Sequence, residues 1–115
     1  MSKFFGMFLI LVLVLGGVAA AAGTHLELDA PTTGQPGTPF TVVAKWVDGY
    51  GNVDTSCTDL CYVSVDRIGQ QALHMTAGVV TFNNLKSNFP NGVCTVIVTD
   101  PAKNTFKEAV IKKGP

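Results

Sequence analysis

Phe40, Val42, Ala44 and Trp46 alternate with Thr41, Val43, Lys45 and Val47, and this alternation restricts the fold more than any other feature of the chain. A spacing of two puts the first set on one face of a β-strand and the second set on the other. The strand is cut off at once by Asp48-Gly49, with Gly51 and Asn52 close behind, residue types that suit tight turns. A second extended run follows from Cys61 to Asp66. Trp46 is read as facing inward and packing; a bulge that turns Val47 in and Trp46 out is the competing register.

The remainder divides in the same way. Leu26 and Leu28 alternate with Glu27 and Asp29 as a half-buried first strand, and Ala30 to Pro39 is a Pro/Gly/Thr-rich connector able to lie along a sheet edge. Ala72 to Met75 is expected to be a short edge strand. Val79 to Leu85 is a strand with Val80 and Phe82 facing in, and Lys86 to Gly92 is a polar turn bent at Pro90-Asn91-Gly92. Val93 to Thr99 is the next strand, Asp100 to Asn104 turns it back, and Thr105 to Lys112 is the last. No stretch has a helical period. Short strands at regular spacing, rich in Val and Thr and separated by turns, predict an all-β antiparallel sandwich of about seven strands.

These motifs carry a resemblance. The run Phe40 to Ser56, a strand followed by a loop with Asp48 and Tyr50-Gly51-Asn52-Val53, resembles the bacterial immunoglobulin-like domains of invasin-type surface adhesins. Val63-Ser64-Val65, Gly78 to Phe82, Gly92 to Asp100 and Asn104-Thr105 fill the later strand and turn positions in the same order. The resemblance implies one immunoglobulin-like unit of roughly 100 residues over positions 23–115. Trp46 departs from it, standing where that family usually has a small residue.

Ahead of this domain, residues 1–22 run from Lys3 through an apolar stretch, Phe4 to Val18, to Ala19-Ala20-Ala21-Ala22. Basic, apolar and small residues in that order are expected of a secretory signal peptide cleaved near Ala20 or Ala22. Two other readings stay open: a retained membrane anchor, and a type IV pilin leader cut after Gly6, with Leu11 where such pilins carry Glu. After cleavage about 93 residues remain, enough for one domain with a modest core. The chain has 8 Lys and Arg against 8 Asp and Glu, with nothing resembling a nucleic-acid footprint.

Residues able to carry chemistry are few. His25 and His74 have no Ser or Cys motif beside them and read as surface or satisfied histidines. Asp48, Asp54, Asp59 and Asp100 belong to turns that share one end of the proposed sandwich, where clustered carboxylates could bind calcium; their spacing fits no EF-hand, and turn capping accounts for them equally. Lys103, Lys107, Lys112 and Lys113 are expected to make the last strand basic on its wet side. With no nucleophile and base, no carboxylate cleft and no complete ligand set, neither an enzyme nor a cofactor is expected. An odd count of three cysteines leaves one thiol over. If the second strand pairs with Val93–Thr99, Cys61 and Cys94 lie at opposite ends, too far apart for a bridge. The expected disulfide is therefore Cys57 with Cys61.

Strand Val93–Thr99 has a second property. With Cys94, Val96 and Val98 inside, Val93 and Ile97 face out beside Thr95 and Thr99, and Tyr62 on the neighbouring strand points the same way. Such a face invites a partner. The chain is accordingly expected to be a non-catalytic, exported subunit of a cell-surface assembly such as a pilus. One form is the globular half of a split type IV pilin, docked on a short helical pilin. A soluble extracytoplasmic binding module for carbohydrate or protein is the alternative. The leader carries the first prediction: the intact mass of the native protein will correspond to a start near Ala21 or Gly23, whereas a mass that includes Phe4 to Val18 would establish an anchor instead.

Overall fold

The computed structural model describes residues 21–115. The expected leader thus falls outside the described residues, apart from its last two positions. Eight strands follow: β1 (His25–Asp29), β2 (Thr33–Gly34), β3 (Phe40–Val47), β4 (Leu60–Val65), β5 (Ile68–His74), β6 (Val79–Leu85), β7 (Val93–Asp100) and β8 (Thr105–Lys113). Short 3-10 turns at Pro90–Gly92 and Pro101–Lys103 flank β7. One sheet has the order β1-β3-β6 and the other β2-β8-β7-β4-β5. Every pairing is antiparallel except β2 with β8. The chain passes between sheets after β1, β2, β3, β5 and β6, and the two layers make an immunoglobulin-like β-sandwich. Among the described residues no helix is long and apolar enough to cross a membrane.

Cross-strand register shows why the sheets close on each other. In the smaller sheet Trp46 stands opposite Leu26, Ala44 lies between Leu28 and Val80, and Val42 faces Phe82. In the larger one Val63 pairs with Val98, Val65 with Val96 and Cys94 with Ile111. These inward sets merge into one core in which Val42, Ala44, Phe82, Val96, Val98 and Ile111 are wholly buried. Burying a side chain of this size is worth about 1.5–3 kcal/mol, so the seam supplies the main stabilisation.

Two devices adjust the strands to that core. Between the pairs Phe40–Leu85 and Val42–Phe82, β6 carries one residue more than β3. Asn84, at φ 59°, takes up the bulge and returns Leu85 to the interior. The β4–β5 hairpin turns through Asp66 and Arg67 at φ 52° and 70°. Asp66 offsets that strain with its side chain, accepting from Ser87 Oγ at 2.5 Å and from the Thr95 amide at 3.1 Å.

Several expectations need correcting. The edge strand spans Ile68–His74 and lies almost wholly exposed, while Met75 follows it as a buried residue. The segment Lys86 to Gly92 is not merely a polar turn. Phe89 is buried there at φ 50°, packed where a Cβ on Gly34 would come within 2.7 Å of its ring. Ser87 Oγ accepts from the Phe89 amide at 2.8 Å and fixes the plug in place. Trp46 and Val47 are both buried: Trp46 joins the main core, and Val47 pairs with Val53 of the following loop. The last strand is not a basic face, because Lys107 lies opposite inward-facing Val98, and only Lys112 shares the outer side with Phe106 and Val110. The connector does reach a sheet edge, as Thr33-Gly34 beside Lys112-Lys113.

Gly78 shows how tightly the loop after β3 is packed. Its φ is +79°, its amide donates to Cys57 O at 2.9 Å, and an added Cβ would stand 2.2 Å from Asp54 O. Gly78→Ala is therefore expected to cost at least about 2 kcal/mol, combining left-handed strain with a clash against backbone. Urea unfolding should show a lower midpoint at unchanged slope; an unchanged midpoint would mean that the loop yields freely.

Candidate functional site at one end of the sandwich

The end of β7 carries an acid into the core's rim. Asp100 is an inward position of β7, next after Val98 at a spacing of two, and it is fully buried. Its Oδ1 accepts from the Ala102 amide at 3.1 Å and caps the Pro101–Lys103 turn. Pro101 starts that turn without needing a donor, and Asn104 at φ 49° ends it. The result is that Lys103 is folded back over the same end. Oδ2 of Asp100 finds no hydrogen-bond donor.

Three groups from the loop between β3 and β4, and from its surroundings, meet it there. One oxygen each of Asp59 and Asp100, together with Cys57 Sγ, lie within 4.8 Å of one another. Lys103 Nζ forms an ion pair with Asp59 Oδ2, lies 3.7 Å from Cys57 Sγ and sits 5.2 Å from the centre of the Trp46 ring. Cys57 Sγ is also 3.6 Å from Met75 Sδ. The cluster thus combines two carboxylates, a thiol and one ammonium group against an aromatic face.

The electrostatics follow from placement. The Lys103 ammonium holds the Asp59 carboxyl below its ordinary value. Burial pushes Asp100 the other way, and the neighbouring Asp59 adds to the rise. Asp59 in turn raises Lys103. Burial raises the Cys57 thiol and pushes Cys61, deeper on β4, up to about 12.

The four aspartates singled out from sequence separate into two kinds. Asp59 and Asp100 come together. Asp48 instead accepts from the Tyr50 and Asn52 amides at 2.8 and 2.9 Å, and Asp54 from the Gly23 and Ser56 amides at 3.0 Å. Backbone hydrogen bonding to Asn52 holds Asp48 low, and the Ser56 hydroxyl does the same for Asp54. The structure holds no Cys57–Cys61 disulfide. All three cysteines are free and buried, since Cys57 turns toward Met75 while Cys61 is an inward residue of β4. Cys94 lies at the far end of the sheet, with its thiol raised by burial. His74 Nδ1 bonds Thr58 O at 2.9 Å and His25 Nδ1 meets Thr24 Oγ1 at 3.0 Å, both on the surface.

Lys103, Cys57, Trp46 and Met75 were not legible as one site. The usable signal was Asp100-Pro101-Ala102-Lys103: a capping Asp followed by Pro forces a turn that brings the lysine back over the acid.

A pH dependence follows. A carboxyl whose folded value lies above its unfolded value favours the folded state fully below the unfolded value, near 3.9, and loses that contribution as pH rises through the folded one. At neutral pH an ionised, buried Asp100 is therefore a cost. Asp100→Asn keeps the cap oxygen and removes the charge. In chelator at pH 7 it is expected to raise the thermal midpoint by a few degrees, with the gain gone at pH 3. A lower midpoint at pH 7 would show that the ionised acid stabilises the fold.

No family model matches the chain, and no curated protein matches it. Among solved structures, the chain is similar to the PKD domain of an M14-like peptidase from Thermoplasmatales archaeon SCGC AB-540-F20. The identity is 13%, the TM-score is 0.46, and the match covers 82% of this chain and 100% of that one.

Proposed function

We propose that the chain is a non-catalytic, exported interaction subunit of a cell-surface assembly, docking on a protein partner through the outer face of its larger sheet. One observation carries this reading. On that face Tyr62, Val93, Phe106 and Val110 are exposed at 47%, 38%, 65% and 54%, with half-buried Ile97 among them. The register makes them a continuous patch: Tyr62, Thr99 and Phe106 form one row, Ser64, Ile97 and Glu108 the next, then Thr95 with Val110. Cross-strand neighbours stand about 5 Å apart within each row, and successive rows are two residues apart along the strands, about 7 Å.

The opposite sheet offers nothing comparable. Val43 is flanked by Asp29 and Thr81, and Lys45 by Glu27 and Val79, so its outer face is largely polar. The larger sheet is thus the one that gains from being covered. A partner that lays an apolar helix or strand across Tyr62, Ile97 and Phe106 would gain several kcal/mol at roughly 25 cal/mol per Å² of apolar area. A pilus-type filament, with a short helical pilin as the covering element, meets this requirement and the export expected from the leader.

Tyr50 favours a second reading. It is 93% exposed on a loop pinned by Asp48, and an aromatic ring presented on a rigid loop suits a sugar face or a protein pocket. A soluble binding module would use that loop and leave the sheet face unused.

The two readings separate by mutation. Ile97→Lys places its amine beside Glu108 and is expected to leave the circular dichroism of the domain nearly unchanged while abolishing incorporation into the assembly. Phe106→Ser, farther from the core, should weaken incorporation without any loss of stability. Normal incorporation of both variants, with function lost in Tyr50→Ala, would transfer the role to the loop.

A further inference from the structure

We infer that Cys57, Asp59 and Asp100 form a binding site for a thiophilic divalent cation of the zinc class, with Lys103 as the resident cation that such an ion displaces. The three donors come from one loop and a strand end, and they lie within 4.8 Å of one another. Zinc takes sulfur at about 2.3 Å and oxygen at about 2.0–2.2 Å, so a tetrahedral ion spaces its donors roughly 3.5 Å apart. Asp59 is the more exposed carboxylate and has the freedom to close the remaining gap.

An acidic cluster alone would mean little; the independent observation is Asp100. It is wholly buried, and its Oδ2 has no hydrogen-bond donor. Such an oxygen is satisfied by a proton or by a cation, and two carboxylates with a thiol at this spacing supply the rest of a coordination shell. Lys103 already marks where positive charge is wanted, because its ammonium contacts Asp59 and approaches Cys57. Its side chain is 31% exposed and leads to solvent, so it can leave without disturbing the core. The thiol decides the class of ion. Sulfur with two oxygens suits zinc and cadmium, whereas calcium and magnesium take oxygen alone. Binding releases the Cys57 proton, leaves the carboxylates as oxygen donors and requires no oxidant.

Cadmium titration of the reduced, chelator-treated full chain tests this, since a cadmium–thiolate bond absorbs in the near ultraviolet. One equivalent should give the band. Cys57→Ser should abolish it, Asp100→Asn should weaken binding at least about tenfold, and Lys103→Met should tighten both cadmium and competing zinc. Cys94→Ser should leave binding unchanged. Four results would each overturn the site: no band from the wild-type chain, a band that survives Cys57→Ser, no tightening in Lys103→Met, or peptide maps showing Cys57 bonded to Cys61 in the native protein. Asp100→Asn keeps the cap oxygen, so it reports on the ligand even if Cys57→Ser folds poorly.

Discussion

Two sheets that share no ladder of backbone hydrogen bonds are held together by one apolar layer, and every other feature of the domain depends on it. Val42, Ala44 and Trp46 of β3 meet Val63, Val65, Val96 and Val98 of β4 and β7 across this layer. Strict alternation on those three strands is what makes it possible, because a slip of one residue would turn each set to solvent. The bulge at Asn84 and the plug at Phe89 protect the layer where alternation alone fails. Strain at these positions is tolerated because the core over-determines them.

The layer ends in charge at one rim. Carried one step past Val98, the inward parity of β7 delivers Asp100, a carboxyl where the strand pattern calls for another apolar residue. A buried acid is costly unless something meets it. Here the surroundings answer with the Ala102 amide and the Lys103 ammonium, which also pairs with Asp59, and Trp46 forms the floor beneath the lysine. The rim is thus polar by construction, which distinguishes it from the opposite end, where Phe89 closes the core with an aromatic ring.

Period-two patterning was enough to read the fold class and the inward residues of β3, β4, β6 and β7, since Val42, Cys61, Phe82 and Val96 obey it without exception. The separation of Cys61 from Cys94 followed from the same strand arithmetic, and the register agrees. Three things were hidden. β5 is nearly all exposed, so Ile68 to His74 carries no alternation to read. Phe89 lies in a segment of turn residues, and its burial depends on a left-handed backbone and on Gly34 far away in sequence. The rim cluster gathers Cys57 and Asp59 from the β3–β4 loop, Met75 after β5, and Asp100 and Lys103 from the end of β7, a contact that no local pattern encodes. The disulfide expectation failed for that reason as well: short sequence separation favoured Cys57 with Cys61, but the thiols face different neighbours.

The same two strands serve both proposed roles, and the pleat keeps them apart. On β4 and β7 the odd and even positions alternate between a buried set, Cys61, Val63, Val96 and Asp100, and a surface set, Tyr62, Ile97 and Thr99. A partner on the outer face would press on strands whose inner side leads to the rim cluster. Tyr62 and Thr99 are chain neighbours of Cys61 and Asp100, which the pleat points to the opposite face. Tyr62 pairs directly with Thr99, so the row nearest the rim is also the row a partner would cover. An ion joining Asp59 to Asp100 would fasten the start of β4 to the end of β7 at that row, tying the loop between the sheets to the larger sheet beneath the surface a partner would cover.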